Sequence, residues 1–306
     1  MTKHVAVLMG GLSNERPVSL SSGRECARAL RNAGFTVTEL DVGYDIAERL
    51  REIRPEVVFN ALHGRYGEDG TVQGVLEFLR IPYTHSGVLA SALAMDKHRA
   101  KMFFKSAGIP VTDHLIVSRA EVAREHVMAP PYVVKPIADG SSVGVFVVKA
   151  EQSHPPQEIL REDWNAGEEV MVERYIPGRD LTCAVMGDVA LGVTEILTDL
   201  SFYNFEAKYA KGGSSHLLPA PIQPKIYDKV QKMALKAHAA LGCRGVSRTD
   251  FRFNDKAGED GELVCLELNT QPGMTETSLA PEQARHAGHS FEDLVTWMVE
   301  DASCNR

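Results

Sequence analysis

The sequence predicts an α/β protein of three α/β subdomains, the first built on a doubly wound parallel sheet. Over the first third of the chain, short apolar runs alternate with helical periodicities, the order of a parallel sheet with crossover helices. Glycine-rich polar loops, Gly10-Gly11-Leu-Ser-Asn-Glu15 and Gly64-Arg-Tyr-Gly-Glu-Asp-Gly70, follow two of those runs. Near the C-terminus, Gly245–Phe253 and Glu262–Asn269 alternate apolar and polar residues like the strands of an antiparallel hairpin.

Residues 4–9 read as a buried strand. Ser19 or Ser21 is the expected cap of a helix reaching Asn32, with Gly34 as its stop. A strand over Phe35–Val42, a helix over Ile46–Arg54, a strand over Val57–His63 and a helix over 71–80 complete the first unit, residues 1–95. Ligands of such sheets sit beyond the C-terminal ends of the strands, where Glu15 and His63 fall. One long helix, Val88–Ala107, carries Asp96-Lys97 into a second unit, residues 96–178. Its strands are expected around Leu115, at Tyr132–Pro136 and at Val143–Lys149. The third unit, 179–306, holds a hairpin about Gly187-Asp188, a long polar loop over Phe202–Pro219 and a helix over Pro224–Leu241. The hairpin already described and a final helix over Phe291–Asp301 close it.

A chain of 306 residues with 44% hydrophobic and 24% charged residues has the composition of a soluble globular protein. Its net charge of −8 and lack of a basic face argue against nucleic acid as a partner. No stretch approaches the roughly 20 apolar residues of a membrane span. The five cysteines form no C-x-x-C pair, which fits a reducing cytoplasm better than a disulfide framework or a zinc site.

Period two places Phe251, Phe253, Val264, Leu266 and Leu268 on one face of the hairpin, and Arg248, Asp250, Glu267 and Asn269 on the other. Asp250 and Glu267 are equidistant from the turn, so they should face each other across the ladder. Two carboxylates and an amide oxygen suit Mg²⁺, which binds a few protein oxygens together with substrate phosphates. Taken alone, this face is most simply a solvated edge. The segment Thr270–Thr275 follows directly, and its glycine lets backbone N–H groups approach an oxyanion. Lys135 ends an apolar strand and Lys97 lies within the long helix; both are candidates to meet an anion, or simply to reach water. The loop 139–142 can wrap phosphate or be a plain turn. The chain has neither G-x-x-x-x-G-K-[ST] nor G-x-G-x-x-G, which argues against a P-loop and against a dinucleotide-binding oxidoreductase.

In order and spacing, several segments resemble the D-alanine–D-alanine ligases of the ATP-grasp superfamily. They are Val7–Arg16, Ala61–Gly64 with Gly67–Thr71, Ala94–Lys97, Val134–Pro136 with Gly140–Gly144, Tyr203–Tyr209, Arg248–Asp250 and Glu267–Thr275. The resemblance implies an N-terminal substrate domain followed by a two-part ATP-grasp fold with ATP between its halves. It implies a cytoplasmic homodimer that uses ATP and two Mg²⁺ (or Mn²⁺) to join two D-alanines through an acyl phosphate, for peptidoglycan.

By the same resemblance, Glu15 holds the first substrate's ammonium and His63 positions that substrate. Lys97 and Lys135 contact ATP phosphates, with Lys208 near the γ-phosphate. Ser141 and Tyr209 fasten closing loops, and Glu173 with Ile176 meets the adenine. Asp250, Glu267 and Asn269 ligate the metal ions, while Arg248 and the Gly273 N–H hold the oxyanion. Ser278 and Leu279 receive the second substrate's carboxylate. The chain departs from the family at Asp180, a ribose contact where glutamate is usual. A ligase for another amino acid would differ chiefly at Glu15 and 275–279, and a non-catalytic relative would lack the metal acids.

Overall fold

The computed structural model describes residues 3–138, 140, 144–161, 164, 167–198 and 215–306. The first sheet is parallel, with β1 (His4–Met9) between β2 (Thr36–Asp41) and β3 (Val57–Asn60). Both faces of β1 are covered, which is why it reads as a continuous apolar run. Val5, Val7 and Met9 pack with Cys26, Ala27 and Leu30 of α1 (Arg16–Asn32). Ala6 and Leu8 pack on the opposite side with Leu50, Val72 and Leu76 of α2 (Ile46–Ile53) and α3 (Thr71–Leu79). The last helix of the chain, Phe291–Asp301, returns to this sheet and buries Leu294, Val295 and Met298 in the same cluster as Val5 and Phe59. Ser290 caps that helix in a reciprocal box with Asp293.

The second sheet is antiparallel, in the order β4 (His114–Ser118), β7 (Glu169–Arg174), β5 (Tyr132–Pro136), β6 (Phe146–Val148). The third has five strands: β10 (Ser215–Leu217), β9 (Val189–Leu197), β8 (Arg179–Met186), β11 (Val246–Asn254) and β12 (Glu262–Asn269). The helix Pro224–Ala240 covers one face of this sheet through Ile226, Val230, Met233 and Ala237, the positions its periodicity predicts. Several short elements escaped the sequence reading of the chain's course: β7, the helices Arg119–Arg124 and Leu279–His286, the 3-10 turn Gln157–Leu160, and β10, which lies where a polar loop was expected.

Three local expectations need correction. The first helix begins at Arg16, with Pro17 in its first turn and Glu15 at the N-cap. Ser19 instead lies inside the helix, and its hydroxyl donates to Ala61 O at 2.8 Å. The long helix expected over Val88–Ala107 is two helices, Val88–Met95 and Lys97–Ser106, broken at Asp96. Asp96 is extended (φ −87°, ψ 100°) and its carboxylate caps the second helix by accepting from Arg99 N. Lys97 N then donates to Ile137 O at 2.9 Å, so the break joins the helix to the loop after β5.

The third correction concerns the hairpin. Asp250 does face Glu267, and Arg248 faces Asn269, but Phe251 faces Cys265. Leu266 is the extra residue of a β-bulge, and it inverts the parity of β12 below that point. Leu263 and Cys265 therefore join the core with Phe251, Phe253 and Leu268. Leu266, expected in that core, lines a cleft on the other face.

Two measurements test these packing arguments. Leu294 has no exposed surface. Replacing it with alanine should lower stability by about 2–5 kcal/mol, read as a drop in Tm. His85 and His238 are buried, and burial lowers both imidazole pKa values from 6.5 to about 4. The unfolded chain therefore takes up protons that the folded chain refuses. Stability should be full above pH 6.5 and fall as the pH drops towards 4, by up to about 1.4 kcal/mol per pH unit for each histidine. His238→Gln, which can keep the bond to Ser247 Oγ, should flatten that slope; an unchanged slope would remove His238 from the account.

Candidate active site

A cleft opens between the second and third sheets. Its lining includes Lys97 and Lys135, Glu173 and Ile176 from β7 and the turn after it, Asp180 from β8, and Asp250 with Glu267 from the hairpin. Val133, Val147, Leu181, Ile196 and Leu266 give it apolar walls. Charges gather at one region and aliphatic side chains elsewhere, the mixture expected of a site for an amphipathic ligand.

The hairpin supplies the acidic floor. Asp250 Oδ1 and Oδ2 each accept from Arg248, through Nε and Nη2, at 2.8 Å. Thr182 Oγ1 on the neighbouring β8 donates to Asp250 Oδ1 at 2.7 Å. Lys97 Nζ lies 3.3 Å from Glu267 Oε2. Asn269 Oδ1 accepts the Gln271 backbone N–H at 2.7 Å, which turns the chain sharply after the strand. Asp180 pairs with Arg252 at 2.7 Å, and Arg252 Nε donates to Ile176 O at 3.0 Å, so β11 also orders the opposite wall.

Glu173 is buried between two lysines. Lys135 Nζ reaches one carboxylate oxygen at 2.5 Å and Lys101 Nζ the other at 2.9 Å. Burial by itself would raise the Glu173 pKa, but the charges of Lys101 and Lys135 hold it far below the usual carboxylate range.

Glu15 and His63 stand at the edge of the first sheet, both buried. Glu15 occupies the helix N-cap without making a capping bond, and its carboxylate turns to two glycine loops. A Cβ on Gly64, which has φ +69°, would lie 3.3 Å from Glu15 Oε1, and one on Gly140 would lie 2.6 Å away. Gly140 also lines the cleft, so Glu15 adjoins it. His63 is held by Glu68 at Nδ1 (3.0 Å) and Ser22 at Nε2 (3.3 Å).

The loop after β12 is tied to the first domain. Asn60 Nδ2 donates to Gln271 Oε1 at 2.7 Å, and Gln271 Nε2 donates to Leu62 O. Ser22 Oγ accepts from Met274 N at 3.4 Å, next to Gly273. Ser278 precedes the helix that Leu279 opens, and its hydroxyl meets Thr275 N and Thr275 Oγ1 at 3.1 and 2.7 Å.

Of the residues expected at the site, Lys97, Lys135, Glu173, Ile176, Asp180, Asp250 and Glu267 share one cleft. Arg248 and Asn269 face each other on the same hairpin, Glu15 and His63 lie in the first domain, and Gly273 adjoins Met274, whose N–H meets Ser22. Ser278 and Leu279 stand at the start of the helix Leu279–His286. Ser141, Lys208 and Tyr209 lie outside the described residues. Sequence reasoning missed Lys101, Glu68, Asn60 and Gln271. Only Lys101 left a signal, its i,i+4 spacing from Lys97 on one helix face.

Two family models match the chain, D-ala D-ala ligase N-terminus over residues 38–86 and D-ala D-ala ligase C-terminus over residues 103–300. The chain is 62% identical to a D-alanine–D-alanine ligase of Sinorhizobium medicae over 306 residues, covering 100% of this chain and 99% of the relative. It is 63% identical to that of Xanthobacter autotrophicus, with 100% of both covered. A solved Bacillus anthracis D-alanine–D-alanine ligase complexed with ATP is similar at a TM-score of 0.79 and 30% identity, over 98% of this chain and 97% of that one. With the two-sheet cleft and acidic hairpin in place and matches spanning most of its length, the chain belongs to the D-alanine–D-alanine ligase family.

Proposed function

We propose that the protein joins two D-alanines, at the expense of ATP, into D-alanyl-D-alanine for peptidoglycan synthesis. The observation that carries this is Gly140, which lines the lysine-rich cleft and also abuts Glu15. A carboxylate that can hold an amino acid's ammonium thus adjoins a cleft suited to nucleotide phosphates. Family membership supplies the identity of the amino acid.

In this reading, Glu15 binds the first D-alanine's ammonium, and His63, braced by Glu68 and Ser22, orients the substrate. A carboxylate is a poor electrophile, so its oxygen first attacks the γ-phosphorus of ATP, giving an acyl phosphate and ADP. Lys97 and Lys135, with Lys208, draw off phosphate charge. The second D-alanine, its carboxylate received by Ser278 and the first N–H groups of the helix at Leu279, attacks through its amine. Arg248, oriented by Asp250, and the Gly273 N–H hold the tetrahedral oxyanion until phosphate departs. Glu173 and Ile176 flank the base, Asp180 the ribose, and Ser141 and Tyr209 fasten the loops over the site.

Asp250, Glu267 and Asn269 would hold two Mg²⁺ or Mn²⁺ ions. Two facing carboxylates and an amide oxygen fit a hard cation that completes its shell with phosphate and water. When bound, such ions neutralise charge on the transferring phosphoryl group. A cytoplasmic homodimer is part of the same proposal. Among the described residues, no helix is long and apolar enough to cross a membrane.

Phosphate release from ATP should depend on D-alanine, with L-alanine, D-serine and D-lactate much poorer. No turnover with D-alanine and Mg²⁺ would sink the reading. Glu267→Gln should abolish turnover with an unchanged Tm, because Glu267 faces the cleft and not the core. Full activity in that variant would remove the metal assignment.

A further inference from the structure

Behind the cleft wall lies a charge that no step above uses. Lys101 is 1% exposed, on the inner face of the helix Lys97–Ser106. Its Nζ donates to Thr112 Oγ1 at 2.8 Å and lies 2.9 Å from Glu173 Oε2. Thr112 Oγ1 in turn donates to the same Glu173 oxygen at 2.7 Å. Lys135 takes the other oxygen, Oε1. Glu173 and Lys135 line the cleft, whereas Lys101 does not.

Two ammonium groups thus share one carboxylate, leaving a surplus of one positive charge in a buried cluster. A buried carboxylate must keep a partner, because stripping one from a buried ion pair is strongly unfavourable. If Lys135 were the sole cationic partner, it could not turn towards a phosphate without stranding Glu173. Lys101 removes that conflict. Burial pushes the Lys101 ammonium pKa down, and the Glu173 charge opposes that shift.

We propose that Lys101 is a positioning residue for nucleotide phosphates: it neutralises Glu173 from behind, so that Lys135 is released to the phosphates. Lys101 itself touches no nucleotide. The inference rests on the nucleotide-binding reading of this cleft. It also accounts for a lysine committed to the interior, where a lone cation is costly.

The test is the ratio of ADP to adenosine affinity, measured calorimetrically on the full chain. Adenosine reports the base and ribose pocket, and only ADP reports the phosphates. K101M should weaken ADP about tenfold while adenosine stays within about twofold, the order expected for one charge in a partly buried site. The double variant K101M/E173Q removes the ammonium together with the carboxylate it serves and leaves Lys135 unencumbered, so its ratio should return to the wild-type value. A general loss of structure would lower both affinities and would not be rescued. An unchanged ratio in K101M overturns the proposal. So does a double variant whose ratio stays low, a result that stands even if K101M alone does not fold. A wild-type chain that binds neither ligand removes the nucleotide reading itself, and this proposal with it.

Discussion

The site depends on a single two-stranded ladder with two different faces. On one side, β11 and β12 give Phe251, Phe253, Leu263, Cys265 and Leu268 to the core of the third unit. On the other, they present Asp250 and Glu267 to the cleft. Strand geometry alone would force strict alternation, and alternation would bury Leu266 beside Leu268. The bulge at Leu266 breaks the rule once, where it serves both faces. Above it, Asp250 faces Glu267; below it, the core takes Leu263 and Cys265 in place of Val264. Leu266 is thereby released to the cleft wall next to the carboxylates.

Charge sets the second constraint. The cleft gathers Lys97, Lys135, Glu173, Asp250 and Glu267. Each finds an opposite charge within the protein: Lys97 with Glu267, Lys135 with Glu173, Arg248 with Asp250, Arg252 with Asp180. Such pairing orients each group, at a desolvation cost that the rest of the fold must cover. It also means that a phosphate entering the cleft competes with carboxylates already in contact with the lysines.

Local pattern made much of this legible. The parallel sheet followed from strand-like runs alternating with helical ones, and the facing of Asp250 and Glu267 followed from equal distance to a turn. What stayed hidden depended on contacts between distant segments or on one-residue irregularities. Nothing in the sequence near Asn60 shows that its amide meets Gln271, 211 residues away. The break at Asp96 was masked by an unbroken helical pattern on both sides, although an aspartate directly before a basic stretch is a helix-capping residue. Lys101 left only its spacing from Lys97, for a different reason: a lysine on a helix is ordinarily solvated, and only the packing of Thr112 and Glu173 against it reverses that expectation.

These long-range ties share a consequence. The loop that carries Gly273 is anchored to β3 through Gln271 and to the first helix through Ser22, and that helix also places Glu15. The final helix, Phe291–Asp301, packs into the same first-sheet core. Gly273 and Glu15, the proposed oxyanion donor and ammonium partner, are therefore both tied to elements of the first sheet and its helix. Lys135, Glu173 and Ile176 belong to the second sheet and its flanking turn, and the helix Lys97–Ser106 meets that unit through Ile137 and Glu173. Motion between these bodies would change the distance from phosphate to amino acid while leaving the geometry around each nearly intact. On the proposed assignments, a reaction that must bind ATP, transfer a phosphoryl group and then admit a second amine has use for that division, because each half would hold its own ligand while the gap between them varies.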